Sequence, residues 1–371
     1  MNDRTLVGRD EILALTGIRA LAAAWVVGFH FCGALSLLFP KVGGILTACF
    51  RSGRLGVDLF FLLSGFIIAY NYQDQLHPFR LTKYKEFLWA RLARLYPVHL
   101  FTLLACLGLY WGANIVGAHL NTQETNWGAW DFAGNIFMVH AWTYHGHLNW
   151  NYPSWSISCE WLAYLCFPLL AAFVSLGWRR PVLWLFVILL LVGYLGLNLI
   201  EWSGLHWMFM GIAFEFPAGV CLCQLYRLDN SDSDPVRSPL QPIAVLALGA
   251  MMVAISIFNF TDIWLIPLLG FMLYAIATGP HGILSRLLAC RFACYWGRVS
   301  YSLYMTHAIT SMVMSRFLPL SSFQGRSLMI RLGACGFYFG CLAAAAALTY
   351  HTIEEPARRR MRHFFDGKRT S

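Results

Sequence analysis

The amino-acid sequence predicts an all-α, polytopic membrane protein with about ten transmembrane helices in one bundle and both termini in the cytoplasm. Three observations predict this class. Hydrophobic residues make up 58% of the 371 residues and charged residues only 12%, a composition outside that of soluble domains. Apolar runs of about 20 residues recur along the chain, and each is long enough to cross a bilayer. Lys and Arg concentrate in alternate connections between these runs.

Ten apolar runs between charged or Pro- and Gly-containing breaks are the predicted spans. No small-residue cleavage site follows the first run, so we expect that run to be a retained span. The segment Asp131 to Trp142 is apolar but too short to cross, which favours an interfacial or re-entrant piece within the loop 118–156. A single membrane domain over residues 1–371 is therefore predicted. Its spans are 14–38, 56–72, 97–117, 157–176, 182–200, 205–225, 241–258, 262–279, 297–315 and 328–350.

The distribution of basic residues predicts the orientation of the chain. A net charge of +9 would suggest a nucleic-acid partner in a soluble protein, but in a membrane protein Lys and Arg mark cytoplasmic loops. With the N-terminus inside, 20 of the 27 Lys and Arg residues face the cytoplasm and six face the outside. An eleventh span would place the basic cluster Arg358–Arg360 outside. We therefore expect ten spans and no nucleic-acid partner.

The predicted outer loop 118–156 contains no Lys or Arg but is rich in Trp, Tyr, His and Asn. This composition suits either stacking on sugar rings or a position in the lipid headgroup belt, and the sequence leaves both open. The 11 cysteines have neither disulfide nor zinc-site spacing, so no metal is expected.

Arg19 and His30 are ionisable residues inside the first predicted span, where an unpaired charge costs several kcal/mol. Eleven residues at about 100° each bring the two side chains to one helix face, about 16 Å apart along the axis. A chemical interpretation has Arg19 hold a phosphate or carbonyl of a donor, while His30 removes a proton from an acceptor hydroxyl. The alternative is a snorkelling arginine and an imidazole satisfied within the bundle.

Asp58 and Glu160 lie near the outer ends of the second and fourth predicted spans, at the depth of His30. A carboxylate that accepts the second N–H of a histidine fixes its tautomer and raises its basicity, so either acid is a candidate to orient His30. The alternative is that both acids stabilise helix N-termini through the helix dipole.

Arg91 and Arg94 are three residues apart on a helical turn at the inner end of the third predicted span. Guanidinium groups placed in this way suit the several phosphates of coenzyme A. Retention of a cytoplasmic loop by positive charge explains them equally well.

Six segments in a fixed order resemble the acyltransferase-3 family of membrane acyltransferases, over residues 12 to 360. Single triplets such as SGF are weak signals, but the ordered set is specific. Ile157 stands where the family more often has leucine, an apolar change of small consequence. The segments are LTGIRALAAAWVVGFHF, GVDLFFLLSGFIIAY, RLARLYPVHL, WSISCEWLAYLCFPLL, GRVSYSLYMTHAIT and IEEPARRR.

The resemblance implies an acyl-CoA donor, acetyl-CoA first among them, and an acceptor hydroxyl on the far side of the membrane. Arg19 and His30 match the family's Arg-x10-His signature, whose residues are the ones most closely tied to activity. Arg91 and Arg94 match its Arg-x-x-Arg element, which the family associates with CoA. Members often carry an additional esterase-like domain, and we expect none here because the chain ends soon after Pro356.

The resulting hypothesis has CoA bind its phosphates at Arg91, Arg94 and Arg298. The pantetheine arm then follows the helix face of Arg19 until the thioester reaches His30. His30 either activates the acceptor hydroxyl or takes the acyl group itself, and the sequence leaves both routes open. Six further residues are expected to line the acceptor or to donate to the oxyanion, although polar helix contacts explain them equally: Ser64, Trp155, Ser156, Tyr301, Tyr304 and His307.

The expected acceptor is an extracytoplasmic or lipid-linked glycan, such as O-antigen or exopolysaccharide, at a bacterial inner membrane. Three alternatives stay open at this stage. The chain could be a transporter or flippase of a lipid-linked glycan, since buried charges are equally expected there. It could also be an assembly subunit of a polysaccharide-export complex, or could acylate a non-sugar molecule such as a macrolide.

Overall fold

A computed structural model describes residues 11–117, 125–142, 148–199, 206–231, 240–258 and 261–367 of the chain. Within these ranges the chain is almost entirely helical. The described helices are α1 (Leu13–Leu38), α2 (Gly43–Phe50), α3 (Gly56–Leu76), α4 (Leu81–Ile115), α5 (Ala129–Ile136), α6 (Trp155–Val174), α7 (Arg180–Leu199), α8 (His206–Ser231), α9 (Leu240–Phe258), α10 (Leu265–Thr278), α11 (Ile283–Leu288), α12 (Arg291–Phe317), α13 (Leu328–Thr349) and α14 (Glu355–Gly367).

Each of the ten predicted spans coincides with one of these helices. Seven helical segments of the described chain are long and apolar enough to cross a membrane, and the segments 180–196 and 262–278 are shorter apolar helices. These helices confirm the all-α polytopic membrane class. The count of ten crossings and the cytoplasmic placement of both termini stay predictions.

Two helices extend beyond the predicted spans. α4 begins at Leu81, so most of the basic stretch expected to connect two spans is helical. After Thr349 the chain continues through a π-helical turn, Tyr350–Glu354, directly into α14. Both extensions carry many charged side chains. Apolar runs mark only the part of a helix that lipid surrounds, and therefore miss a polar continuation.

The bundle is held by close helix crossings, with α1 along α12 and α3 along α8. A Cβ atom on Gly65 would lie 2.0 Å from the carbonyl oxygen of Phe216, and one on Gly219 would lie 2.1 Å from that of Leu62. Only glycine permits this approach, and close packing is the main attraction between helices in lipid. The crossing directs Gly65 toward α8 and leaves its neighbour Ser64 on the wall of a cavity.

The described part of the aromatic outer loop folds back onto the end of α4. It contains α5, whose eight residues are too few to cross a bilayer, and a two-residue parallel pair, β1 (Thr125–Asn126) with β2 (Leu148–Asn149). Several of its aromatic rings pack against one another and against a tyrosine of α4, which covers part of each ring. The packed rings are those of Tyr110, Trp127, Phe132 and Trp150.

A buried polar network underlies this loop. Asn135 accepts from His99 Nε2 through its backbone carbonyl at 2.7 Å and donates to Asn149 Oδ1 at 2.9 Å. Ser154 Oγ lies 3.0 Å from His140 Nε2, and the His99 and His140 rings stack with their centroids 5.7 Å apart. Burial first, and then the neighbouring His99, lowers the pKa of His140 to about 3. The loop is therefore a packed cap with a neutral histidine in its interior.

Candidate active site

A cavity opens among α1, α3, α4, α6 and α12. It collects eight of the 13 side chains that the sequence suggested as site residues. Its remaining wall is mostly apolar, from α3 and from Leu95 and Ile157. The eight are Arg19, Ser64, Arg91, Arg94, Ser156, Glu160, Tyr301 and Tyr304.

Three arginines line the cavity, and only one has an ion-pair partner among the described residues. Arg94 pairs with Glu354, and this pair is buried, with side-chain exposures of 14% and 1%. Arg91 donates to the hydroxyl of Tyr72 at 2.8 Å. Arg19 donates from Nε to Ser300 Oγ at 3.4 Å. Arg19 and Arg91 therefore form no direct ion pair and lie within electrostatic range of one carboxylate, that of Glu160, so positive charge is in excess in the cavity and favours an anionic ligand.

Glu160 is the carboxylate on the wall of this cavity, within the part of the chain that the structure describes. Its Oε1 accepts hydrogen bonds from Ser64 Oγ, at 2.6 Å, and from the hydroxyl of Tyr164. Tyr164 was not suggested by the sequence, because a single tyrosine in an apolar helix gives no signal. The three side chains form one hydrogen-bonded group on α3 and α6.

The hydroxyl groups on the cavity wall already have acceptors. Tyr301 donates to the backbone carbonyl of Leu95 at 2.7 Å, and Tyr304 donates to that of Pro153 at 2.9 Å. Ser156 Oγ lies 3.2 Å from the same Pro153 oxygen and 2.9 Å from the Tyr304 hydroxyl. This geometry favours a structural role for these hydroxyls over oxyanion stabilisation, because each donor would first have to break its existing bond.

His30 lies beyond the far end of the cavity, beside a second histidine. The ring centroid of His307 is 5.0 Å from that of His30 and 5.9 Å from that of Tyr304 on the cavity wall. Tyr152 completes the group, 5.4 Å from His30. His30 is exposed, whereas His307 is buried. One aromatic layer therefore separates the cavity from an imidazole that is open to the surroundings.

The hydrogen bonds of the two histidines determine their tautomers. His30 Nδ1 lies 2.8 Å from the carbonyl oxygen of Val26, and His307 Nδ1 lies 2.6 Å from that of Tyr304. A carbonyl oxygen only accepts hydrogen bonds, so Nδ1 carries the proton in each ring. In the neutral form of each imidazole the Nε2 atom then has the lone pair. This is the state a general base requires.

The expectation that Asp58 or Glu160 orients His30 is wrong in this structure. The backbone carbonyl of Val26 occupies that position, one helical turn before the histidine. Glu160 lies on the cavity wall, and Asp58 faces α7 and α8, where it accepts from the hydroxyl of Tyr194 at 3.1 Å and lies within electrostatic range of Glu215. Asp58 is in the first turn of α3, as the helix-dipole alternative requires.

Two other suggested residues do not line the cavity. Arg298 is exposed near the start of α12, and the cations at the cavity wall come from α1 and α4 instead. Trp155 packs edge-on against Phe61, with ring centroids 6.1 Å apart. Conversely, no sequence pattern indicated that Glu354 reaches the site, where it binds Arg94 and accepts from Ser302 Oγ at 2.6 Å.

Comparison with known proteins identifies relatives of the chain. The family model described as an acyltransferase domain, that of the acyltransferase-3 family, matches residues 12–350. Acyltransferase MdmB of Streptomyces mycarofaciens is 32% identical over 160 residues, covering 42% of this chain and 38% of that protein. The O-acetyltransferase OatA of Staphylococcus aureus is 26% identical over 329 residues, covering 79% of this chain and 49% of that protein. The chain thus spans half or less of these curated relatives. No solved structure matches it.

Proposed function

Because the chain belongs to the acyltransferase-3 family, we propose that it transfers an acyl group, acetyl in the first instance, from cytoplasmic acyl-CoA to a hydroxyl of an extracytoplasmic or lipid-linked glycan at a bacterial inner membrane. One observation carries this proposal. A cavity in which positive charge is in excess, from Arg19 and Arg91 beside the single carboxylate of Glu160, ends one aromatic layer away from the exposed imidazole of His30. The site therefore joins an anion-binding end to a basic end.

The arginine end of the cavity suits an acyl-CoA donor. Arg19 and Arg91 offer forked donors to phosphate or carbonyl oxygens. Arg94 is already bound to Glu354 in an ion pair. The phosphates of CoA carry its charge, whereas its pantetheine arm is neutral and fits an apolar passage between helices. The orientation predicted from the basic residues places this end toward the cytoplasm, where acyl-CoA is made.

The imidazole end suits activation of a hydroxyl. His30 is exposed, and because Nδ1 donates to Val26, the Nε2 atom of the neutral ring is the one that can take a proton from an acceptor arriving from the outside. α1 is one continuous helix from Leu13 to Leu38, and its rise places His30 about 16 Å from Arg19 along the axis. This separation lets the donor and the acceptor approach from opposite sides.

In the proposed transfer, His30 Nε2 removes the proton of the acceptor hydroxyl as its oxygen bonds to the thioester carbonyl carbon. The carbon–sulfur bond then breaks, and the CoA thiolate leaves and takes the proton from the His30 imidazolium, which restores the neutral base. The products are an ester on the acceptor and free CoA. For the thioester to reach His30, it must pass the layer formed by Tyr304 and His307.

A glycan acceptor is supported by the exposed outer surface around α5. The side chain of Trp130 is 91% exposed, so one face of its indole is available to stack on a sugar ring. The relative OatA is named an O-acetyltransferase, which agrees with a hydroxyl as the acceptor group. Membership of an acyltransferase family favours a transferase over the transporter alternative.

The proposal is tested with purified protein in lipid nanodiscs, acetyl-CoA labelled in its acetyl group, and a lipid-linked glycan fraction. Release of the CoA thiol and transfer of label to the glycan are measured together. Replacing His30 with alanine should lower kcat by about 10²- to 10⁴-fold, since it removes the general base. His281→Ala is the matched control, because that side chain is exposed and outside the cavity wall.

Two results would contradict the proposal at different points. If the unaltered protein releases no CoA in the presence of any acceptor fraction, the donor is assigned wrongly. If CoA is released but His30→Ala transfers label as fast as the His281→Ala control, the base is assigned wrongly.

A further inference from the structure

The packing of α1 along α12 places His307 between His30 and the cavity. Arg19 of α1 donates to Ser300 of α12 at 3.4 Å, and further along the same two helices the ring of His307 lies 5.0 Å from that of His30. On its other side, the His307 ring lies 5.9 Å from that of Tyr304 on the cavity wall. A group that passes from the cavity to His30 through this layer therefore meets His307.

His307 presents a buried hydrogen-bond acceptor that has no donor. Its Nδ1 donates to the carbonyl oxygen of Tyr304, so the Nε2 atom of the neutral ring can only accept. That Nε2 atom is buried and has no hydrogen-bond partner within the part of the chain that the structure describes. A buried polar atom left without a partner costs about 1–3 kcal/mol, so this position favours a ligand that brings an N–H or O–H group. Donation to an oxyanion, expected from the sequence, does not fit, because the neutral Nε2 carries no proton.

The pantetheine arm of acyl-CoA brings such a group at a fixed distance from its reacting carbon. A sulfur atom and two methylene groups join the thioester carbon to the nearest amide nitrogen, a span of about 5 Å from standard bond lengths. The rings of His30 and His307 have a matching separation, 5.0 Å between centroids. When the thioester carbon reaches His30, this amide N–H is therefore level with His307.

We propose that His307 Nε2 accepts a hydrogen bond from the amide N–H of the donor that is nearest to the thioester, and thereby holds the thioester carbon beside His30. The inference rests on the proposed function, because it takes acyl-CoA as the donor. An uncharged acceptor suits an uncharged amide, since neither partner brings a charge into the interior of the bundle. His307 binds the donor in this arrangement and takes up no proton, which leaves the proton transfers to His30.

The test compares two donors that differ in one group. The first is acetyl-CoA, and the second is an acetyl-CoA analogue with an ester oxygen in place of the N–H nearest to the thioester. The unaltered protein should use acetyl-CoA with a kcat/KM about fivefold higher, which is the effect of one neutral hydrogen bond. His307→Asn should lower kcat/KM about fivefold for acetyl-CoA alone, so that the variant uses the two donors equally.

Asparagine and glutamine separate the hydrogen bond from the packing of the ring. The amide of asparagine ends near the position of Nδ1, so His307→Asn keeps a donor for the Tyr304 carbonyl and has no acceptor at the position of Nε2. Glutamine is one carbon longer, and its carbonyl oxygen reaches toward that position, so His307→Gln should restore part of the preference for acetyl-CoA. His281→Asn is the matched control, because His281 is exposed and outside the cavity wall, and it should keep the full preference.

Binding of coenzyme A makes the test independent of turnover. Coenzyme A has the same amide and no acyl group to transfer. In lipid nanodiscs it should bind His307→Asn about fivefold more weakly than it binds the unaltered protein. The coenzyme A analogue with the ester oxygen should bind both proteins equally.

Two results would overturn the inference. An equal loss of kcat/KM for both donors in His307→Asn would show that His307 acts through packing or through the acceptor. Use of both donors with the same kcat/KM by the unaltered protein, a measurement that needs no variant, would show that the N–H makes no bond in the site. If the unaltered protein neither binds coenzyme A nor releases its thiol from acetyl-CoA, the proposed function fails instead.

Discussion

Replacing Glu354 with glutamine removes the charge partner of Arg94 while leaving the size of the side chain almost unchanged. The Arg94–Glu354 pair is buried, with 14% and 1% of the side chains exposed, so the variant leaves a cation in a low-dielectric site. Breaking such a pair from one side costs about 3–5 kcal/mol. The amide still accepts from Ser302, so we expect a loss near 3 kcal/mol in the free energy of unfolding.

Glu355→Gln supplies the matched control one residue further along the chain. Glu355 is 19% exposed and its partners Arg358 and Arg359 are 23% and 73% exposed, so water reaches both ion pairs and their loss should cost about 1 kcal/mol. Unfolding by SDS, followed by circular dichroism in mixed micelles, measures both variants on one scale. The double variant Arg94→Met, Glu354→Met removes both charges. It should lose less free energy of unfolding than Glu354→Gln alone, because no unpaired charge remains.

Equal destabilisation by Glu354→Gln and Glu355→Gln would refute the claim that Arg94 needs Glu354 to neutralise its charge. Equal values would show that water or relaxation of the π-helical turn neutralises Arg94 without Glu354. The double replacement distinguishes an unpaired buried charge from a simple loss of packing. Removing Arg94 as well restores stability only if the unpaired charge of Arg94 is the cause.

Three further predictions concern separate parts of the bundle. Glu160→Gln should lower acyl transfer at least tenfold while Asp58→Asn stays within about threefold, since only Glu160 lies on the cavity wall; equal rates in the transfer assay would contradict this. Gly65→Ala should destabilise the protein by about 1–3 kcal/mol, because the added Cβ would meet the backbone of α8. Gly108→Ala is the control, since Gly108 has open space around it, and this variant should be neutral or stabilising in the same SDS titration. Folding lowers the pKa of His140, so the unfolded chain binds a proton at this histidine more tightly than the folded protein does. The free energy of unfolding should therefore fall as the pH drops from about 6.5 toward 3, by about 1.4 kcal/mol per pH unit. His140→Gln should flatten that slope in urea or SDS titrations over this range, and an unchanged slope would show that other groups cause it.

The local features of this protein could be predicted from the sequence because they depend on neighbouring residues. Apolar runs predicted the positions of the long helices, since lipid requires each crossing segment to satisfy its own backbone hydrogen bonds. Helical spacing predicted that Arg19 and His30 share one helix, and α1 is continuous through both. The order of six motifs predicted the family, which the match over residues 12–350 shows.

Polar partners that come from distant parts of the chain could not be predicted in this way. Asp58 and Glu160 looked equivalent, because both lie near the outer ends of predicted spans. Rotation about the helix axes separates them, so that Asp58 faces Glu215 and Glu160 faces the cavity. Hydropathy contains no information on that rotation.

The sequence by itself determined the class of the protein, its helices and its family, because these follow from local apolar length, helical period and motif order. Tertiary structure alone decided which charges are neutralised. It paired Arg94 with Glu354 and placed Arg19 and Arg91 in one cavity with the single carboxylate of Glu160. The physical reason is that ion pairing acts over a few ångströms of space, and helix packing brings together residues that are remote along the chain.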